Sequence, residues 1–413
     1  MNRRTSVLAG LLALAWTGGI ALAVPAEEEA NTASVTQTEG MESEWTTVGV
    51  RKFRKAQRRP IQLGTSGGNA EDFESDGEFI TCFGGTLGGL LQMGSARETQ
   101  NFVLSNNHVL ARANKARRGD DVIQPALLDS RCVSGPADVI GELSDFKRIL
   151  FNNRGNKVDM SIAAVEPGAV QPNGRILKLG IPGNSPVEAR LGMAVQKVGR
   201  TTGHTRGTVV ALDFDLDVSF SSDSIAVAAA RAARFVGQII VEGRNNKPFV
   251  EGGDSGSMVY ENAKPCPRAV GLVFAGSGNL AAANPIGEVL AAAKNLRPKG
   301  EKTLVGCSAA AAPALGIDQA FPAAAGPAVS AQLGREASEL RRASLIKRRW
   351  REVLFEKAGV VGVGVAMEGP ADRRRGVIQV FVERADPEVL ARIPTELDGR
   401  AVRVRETGRF RAF

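Results

Sequence analysis

Histidine is nearly absent from this 413-residue chain, with His108 and His204 its only two. Cysteine is also scarce, at four: Cys82, Cys132, Cys266 and Cys307. No C-x-x-C occurs, and both histidines stand far from every cysteine in sequence. Zinc sites are built from such residues at short regular spacings, so no metal is expected, and no organic cofactor is implied. Any reaction that needs an imidazole must use one of these two residues. After residue 23 no stretch is apolar and long enough to span a bilayer, which takes about 20 residues. No internal repeat is evident.

The N-terminus "MNRRTSVLAGLLALAWTGGIALAVPA" places Arg3 and Arg4 before an apolar run that ends in Ala21-Leu22-Ala23. That is the order of a secretory signal, with cleavage after Ala23. Thr17, Gly18 and Gly19 interrupt the run, which argues against a full membrane span. Residues 1–23 therefore read as a signal peptide. The mature chain is expected to be secreted or periplasmic, with no stable membrane insertion. An even cysteine count in an exported protein suggests disulfides, and four cysteines allow three pairings. Sequential pairing, Cys82–Cys132 and Cys266–Cys307, keeps each bridge on one side of the central segment; four buried thiols are the alternative.

Hydrophobic residues make up 43% of the chain and charged residues 23%, as in a globular protein. Residues 24–60 are the exception. They run from the acidic, polar "PAEEEANTASVTQTEGMESE" to the basic "RKFRKAQRR", a pattern expected to be solvated. The net charge of +8 and this basic block would suit phosphates, but a solvated tail is the simpler reading and no nucleic acid is expected. From 61 to 307 the chain alternates short apolar segments such as "NFVLSNNHVL", "GTVVALDFDL" and "AVGLVFAG" with Gly, Asn, Asp and Pro. Strands at that spacing make a barrel or sandwich. Residues 308–334 are an Ala/Pro-rich linker. Residues 335–413 begin with apolar positions at helical spacing among arginines and continue as "GVVGVGVAM", "GVIQVFVER", "DPEVLARI" and "RAVRVRE", the pattern of a small α/β domain of unknown role.

The stretch "VEGGDSGSMVY" presents Ser255 in a Gly-Asp-Ser turn. Such turns are common for conformational reasons alone. A serine nucleophile needs a base, and the base needs a partner that fixes its tautomer. His108, in "LSNNHVL", follows an apolar run, and Asp159, in "KVDMSIAAV", opens another. His108, Asp159 and Ser255 thus occur in one of the known chain orders of a Ser-His-Asp triad. Asp120, Asp121, Asp138 and Asp145 are rivals for the acid, Asp145 the most serious.

Five segments in sequence, "TCFGGTLGG", "LSNNHVL", "VGRTTGHTRGTVVALD", "EGGDSGS" and "AVGLVFAGSGNLAAANPI", resemble those of trypsin-like serine proteases of the secreted bacterial type. The resemblance implies a mainly β fold: a chymotrypsin-like double β-barrel over 61–307 with the C-terminal α/β domain appended. It implies an exported serine endopeptidase acting on polypeptide through an acyl-enzyme. His108 would be general base then acid, Asp159 its orienting partner and Ser255 the nucleophile. The N–H groups of Gly253 and Ser255 would form the oxyanion hole. Two rivals stand beside it: a catalytically silent homologue that binds peptides or partners, and an esterase using the same triad. An α/β-hydrolase would need a histidine after the serine, and none follows Ser255.

The chain departs from the pattern in places. Ser257 replaces a glycine at the pocket wall. Ile61 follows "RRP", which argues against tryptic activation that would free its amine to pair with Asp254. By the resemblance Phe249, six residues before Ser255, lies at the base of the substrate pocket. Without charge it would favour small or medium apolar side chains; if loop insertions shift the register, it is core instead. His204 is a surface loop residue or a second pocket residue suited to acidic side chains.

Overall fold

The computed structural model describes residues 52–95, 98–152, 154–220, 231–308, 327–370 and 373–412. The signal segment 1–23, the acidic stretch after it and most of the linker lie outside the described residues. Among those described, no helix is long and apolar enough to cross a membrane.

The strands of the first half are β1 (Thr65–Asn69), β2 (Phe73–Ser75), β3 (Ile80–Cys82), β4 (Gly85–Leu87), β5 (Gly89–Ser95), β6 (Glu98–Ser105), β7 (Asp121–Ile123), β8 (Val139–Phe146) and β9 (Ser161–Val165). With β16 (Thr303–Leu304), most form an eight-stranded sheet in the order β16-β5-β6-β9-β8-β7-β1-β4. The sheet curls until Gly88 N–H, just past β4, bonds the Leu104 carbonyl of β6 at 3.0 Å. Leu90, Phe102, Leu104, Val122, Ile140, Leu143 and Ile162 fill its interior. The short helix α1 (Asn107–Leu110) leaves the end of β6 and carries His108.

The second half supplies β10 (Ala194–Gly199), β11 (Gly203–Phe220), β12 (Arg231–Gly243), β13 (Met258–Glu261), β14 (Ala269–Ser277) and β15 (Leu280–Pro285), followed by helix α2 (Ile286–Ala293). The order β10-β13-β14-β15-β12-β11 closes on itself, because β10 pairs with both β13 and β11. The chain is therefore mainly β, as its strand pattern implies, with curled sheets of the chymotrypsin-like barrel kind, as the resemblance implies. Both expected disulfides are present, Cys82–Cys132 and Cys266–Cys307.

The segment "DFDLDV" in β11 shows how local pattern becomes architecture. Phe214, Leu216 and Val218 are fully buried, while the alternating Asp213, Asp215 and Asp217 point to the other face, as period-2 geometry requires. That face receives helix α3 (Pro327–Phe355), which starts before the expected linker end at 334. Lys347 of α3 is 1% exposed and reaches Asp213 at 3.1 Å and Asp215 at 3.0 Å. The helix also packs on β17 (Val360–Glu368) and β18 (Arg375–Val382) through Ala343 and Leu354. Strand β17 pairs with β11 at Leu212, Asp215 and Leu216. The C-terminal segment thus extends the second barrel's sheet. It continues through α4 (Pro387–Leu390), β19 (Glu396–Leu397), β20 (Arg400–Glu406) and β21 (Phe410–Ala412).

The basic block differs from the expected solvated tail. Phe53 is 4% exposed within the first sheet's core cluster, and Gln57 bonds Gln62, Thr65 and Gln124. One buried ring and one glutamine tie residues 52–60 to the barrel despite the charges between them.

Candidate active site

Three side chains from three elements form the site. Asp159 precedes β9 and is fully buried. Its Oδ2 lies 2.5 Å from His108 Nδ1, and its Oδ1 accepts the main-chain N–H of Asn107 at 2.7 Å and of His108 at 3.3 Å. Asn106 Nδ2 donates to the Asp159 carbonyl at 2.7 Å. The Asp159 N–H donates to Asn284 Oδ1 at 3.0 Å, and Asn284 is held in turn by Gln238 at 2.7 Å. The imidazole is thereby fixed with Nε2 buried and, among the described residues, without a hydrogen-bond partner. The ring of Phe220, at the end of β11, meets that of His108 edge-on with centroids 5.8 Å apart.

The rival acids have other tasks. Asp145 bonds Arg118 at 3.0 Å and Arg297 N–H at 2.9 Å. Asp120 accepts from Arg117 N–H, and Asp138 from Gly135 N–H.

Ser255 sits in the turn between β12 and β13, 1% exposed. Its Oγ donates to the Phe274 carbonyl at 3.4 Å rather than to His108. Its own carbonyl accepts Thr86 N–H at 2.8 Å, which docks the turn on the first sheet. Gly85 permits that approach: a Cβ there would lie 2.5 Å from Val109 Cγ2 and 3.0 Å from the Ser255 carbonyl. The neighbour of His108 and the Ser255 backbone are thus one glycine apart. Gly253 has φ +90°, a region that glycine alone enters without strain. Among the described residues the N–H groups of Gly253 and Ser255 have no hydrogen-bond partner.

Asp254, pointing beneath the turn, is fully buried with Lys197 at 2.9 Å. It also accepts Thr201 N–H at 2.8 Å and Thr202 Oγ1 at 2.6 Å. Burial works against its charge, but Lys197 and Thr202 outweigh it and hold the carboxyl below its ordinary range. Burial also draws the Lys197 ammonium below its ordinary value, against the pull of Asp254. A freed Ile61 amine is therefore not needed as a counter-ion, in line with the argument against tryptic activation at "RRP". Asp254 is already satisfied from within the barrel, and Ile61 N–H bonds the Ala169 carbonyl at 2.8 Å. A second buried pair, Arg200 with Asp129 at 2.7 Å, braces the same turn.

The three residues expected at the pocket differ in their surroundings. Phe249 is fully buried among Val195, Val209, Val241 and Val250 in the second barrel's core, with no face open to a substrate. Ser257 is fully buried too, its Oγ donating to the Asp254 carbonyl under the turn. Apolar packing accounts for Phe249 and a main-chain acceptor for Ser257. His204 lies at the start of β11, its Nε2 2.9 Å from Gln196 Oε1. Partial shielding, then Arg206, Lys197 and Lys264, keep its ring below the ordinary histidine pKa. No contact among the described residues joins it to the triad.

Sequence reasoning missed Lys197, Asn284 and Phe220. Only the first had a readable signal, since a lysine inside the alternating strand "AVQKVG" needs an acid partner.

Residues 148–284, which include Asp159 and Ser255 but not His108, match the family described as the Nal1 C-terminal domain. The protein NARROW LEAF 1 of Oryza sativa subsp. japonica is 32% identical over 96 residues, 23% of this chain and 15% of that protein. Among solved structures, one is described as a glutamic acid specific serine protease utilizing a histidine triad in substrate binding. It is 17% identical, with a TM-score of 0.38, over 59% of this chain and 100% of its own. Thermobifida fusca protease A is 18% identical, with a TM-score of 0.33, over 58% of this chain and 98% of its own.

Proposed function

We propose that the chain is an exported serine endopeptidase whose nucleophile is Ser255, base His108 and orienting acid Asp159. The observation that carries this reading is the imidazole: Nδ1 is fixed by a buried carboxylate, while Nε2 is buried and, among the described residues, unpaired, and Gly85 lies between Val109, the residue after His108, and the Ser255 carbonyl. A buried polar atom without a partner costs free energy, and an incoming hydroxyl would satisfy it. Rotation of Ser255 away from the Phe274 carbonyl would let His108 Nε2 take its proton as Oγ attacks a peptide carbonyl. The alkoxide would meet the N–H groups of Gly253 and Ser255. His108 would then hand the proton to the leaving amine, and water would release the acyl group by the reverse route. Two disulfides support export. Residues 61–307 would be the catalytic unit and 335–413 an appended one.

The silent-homologue reading draws on one observation, that Ser255 Oγ is bonded to Phe274 rather than to His108. Hydrolysis of a mixed library of blocked peptides, with Ser255→Ala as control, separates the two. Cleavage that disappears in the variant supports the endopeptidase. Binding of the same peptides without cleavage supports the homologue.

A further inference from the structure

Strand β14 runs past Ser255 with one edge paired to β15 from Gly271 to Ser277. Its other edge pairs with β13 only at Ala269, Gly271 and Leu272. Val273 then bonds the nucleophile turn in both directions, through Gly256 N–H at 3.0 Å and the Ser257 carbonyl at 2.9 Å. Phe274 comes next and accepts from Ser255 Oγ. Two residues on, the edge is already taken: Gly276 pairs antiparallel with Arg411 of β21.

The far side of β21 runs parallel to the end of β11, in the register Val218–Phe410, Ser219–Arg411 and Phe220–Ala412. Phe220 is the residue whose ring abuts His108. The strand is thus wedged between the cover of the base and the strand that carries the acceptor of the nucleophile. It is well anchored there. Phe410 is fully buried and stacks on Phe381 with centroids 6.3 Å apart. Ser277 Oγ donates to the Thr407 carbonyl, and Arg409 meets Glu383 at 2.8 Å.

Extended peptides bind sheet edges by adding a strand, main chain to main chain. A peptide that presents a carbonyl to Ser255 needs the edge of β14 beyond Phe274. We propose that β21 occupies this strand-addition site in cis, so that the intact chain holds its own cleft closed and Ser255 reacts only when β21 lifts. The proposal rests on Ser255 as nucleophile. The occupant also describes the peptide class that would displace it: a large apolar residue where Phe410 is buried, any residue at the exposed Arg411, and a small one at Ala412, which is 9% exposed.

Proline at 411 offers no main-chain N–H and does not fit between two partner strands, so β21 should lift and vacate the place where Phe410 is buried. Arg411→Pro and the milder Ser277→Ala are compared with the full-length chain, each checked for an intact thermal transition. Two readouts are taken. The first is the labelling rate of Ser255 by a fluorophosphonate, expected to rise about tenfold or more in Arg411→Pro as the open fraction grows, and less in Ser277→Ala. The second needs no catalysis: binding of a fluorescent peptide Gly-Arg-Phe-Arg-Ala, the 408–412 sequence, to Ser255→Ala chains with and without Arg411→Pro. Capture only by the doubly substituted chain supports the proposal. A folded Arg411→Pro chain that labels no faster and captures no peptide overturns it. Peptide capture with no labelling of any chain would leave the strand site standing and remove the nucleophile reading.

Discussion

On the His108 side of the site, every polar group that positions the imidazole is in place. Asp159 is bonded at both oxygens, at its N–H and at its carbonyl, and its Oδ2 holds the ring at Nδ1. On the Ser255 side the bracing is equally dense beneath the turn, through Lys197, Thr201 and Thr202 on Asp254, yet the hydroxyl itself points to Phe274. On the proposed reading the base is held in place and the nucleophile must leave the Phe274 carbonyl to reach it. Preorganisation of charge-bearing groups is the costly part of such a site, and a serine rotamer change is cheap. On the proposed reading the contrast locates control on the Ser255 side, where β21 also lies.

The largest effects should come from breaking either half outright. Ser255→Ala and His108→Ala should each lower kcat by about 10⁶-fold, and the double variant little further, because triad members act as a unit. Asp159→Asn should cost about 10⁴-fold by favouring the wrong tautomer, while Asp145→Asn should leave kcat within a few-fold. Steady-state hydrolysis of a blocked peptide checks all four.

Next comes the support under the turn. Lys197→Met strands the buried Asp254 carboxylate, and loss of one partner of a buried pair costs about 3–5 kcal/mol. Urea unfolding should show that loss, and labelling of Ser255 should fall with it. Gly253→Ala is smaller in stability but sharper in function. At φ +90°, with Arg200 Nη1 and Thr201 Oγ1 each 2.7 Å from the added Cβ, the turn must shift. Displacing one oxyanion donor costs about 10²–10³ in kcat, with a loss of about 1–3 kcal/mol in stability.

Phe249→Leu tests whether Phe249 is a core or a pocket residue. A core residue should lose about 1–2 kcal/mol of stability on this exchange and leave the preference at the residue before the cut unchanged in a peptide library. The smallest effect concerns Asp72. Burial pushes its carboxyl up to about 7, against the pull of Arg112, His108 and Lys115. A raised folded pKa means that the stabilisation is complete below about pH 4 and is lost as pH rises through about 7. Asp72→Asn should flatten the stability profile over that window, measured by unfolding at several pH values.

Much of this was legible in the sequence because it depends on local pattern. Short alternating strands point to the mainly β class, and "DFDLDV" carries both faces of β11 in its spelling. The pairing of His108 with Asp159 was readable because only two histidines exist and one stands beside apolar strand ends. The illegible parts depend on long-range pairing. Nothing local in Asn284 connects it to Asp159, 125 positions away. Phe249 has the same apolar character whether it faces a pocket or a core, and only its neighbours decide. The Ala/Pro-rich stretch suggested independence for the C-terminal segment, yet β17 adds to β11, because a strand edge carries no sequence mark of its partner.

Whether Ser255 is a nucleophile activated by His108 is tested most directly by mass mapping of the protein after prolonged exposure to a fluorophosphonate, on the intact chain and on Arg411→Pro. A single adduct on Ser255 is expected, slow on the intact chain and faster on the variant, and absent when His108→Ala is added. Ser255 left unmodified in both chains, or an adduct that forms equally well without His108, would contradict that role.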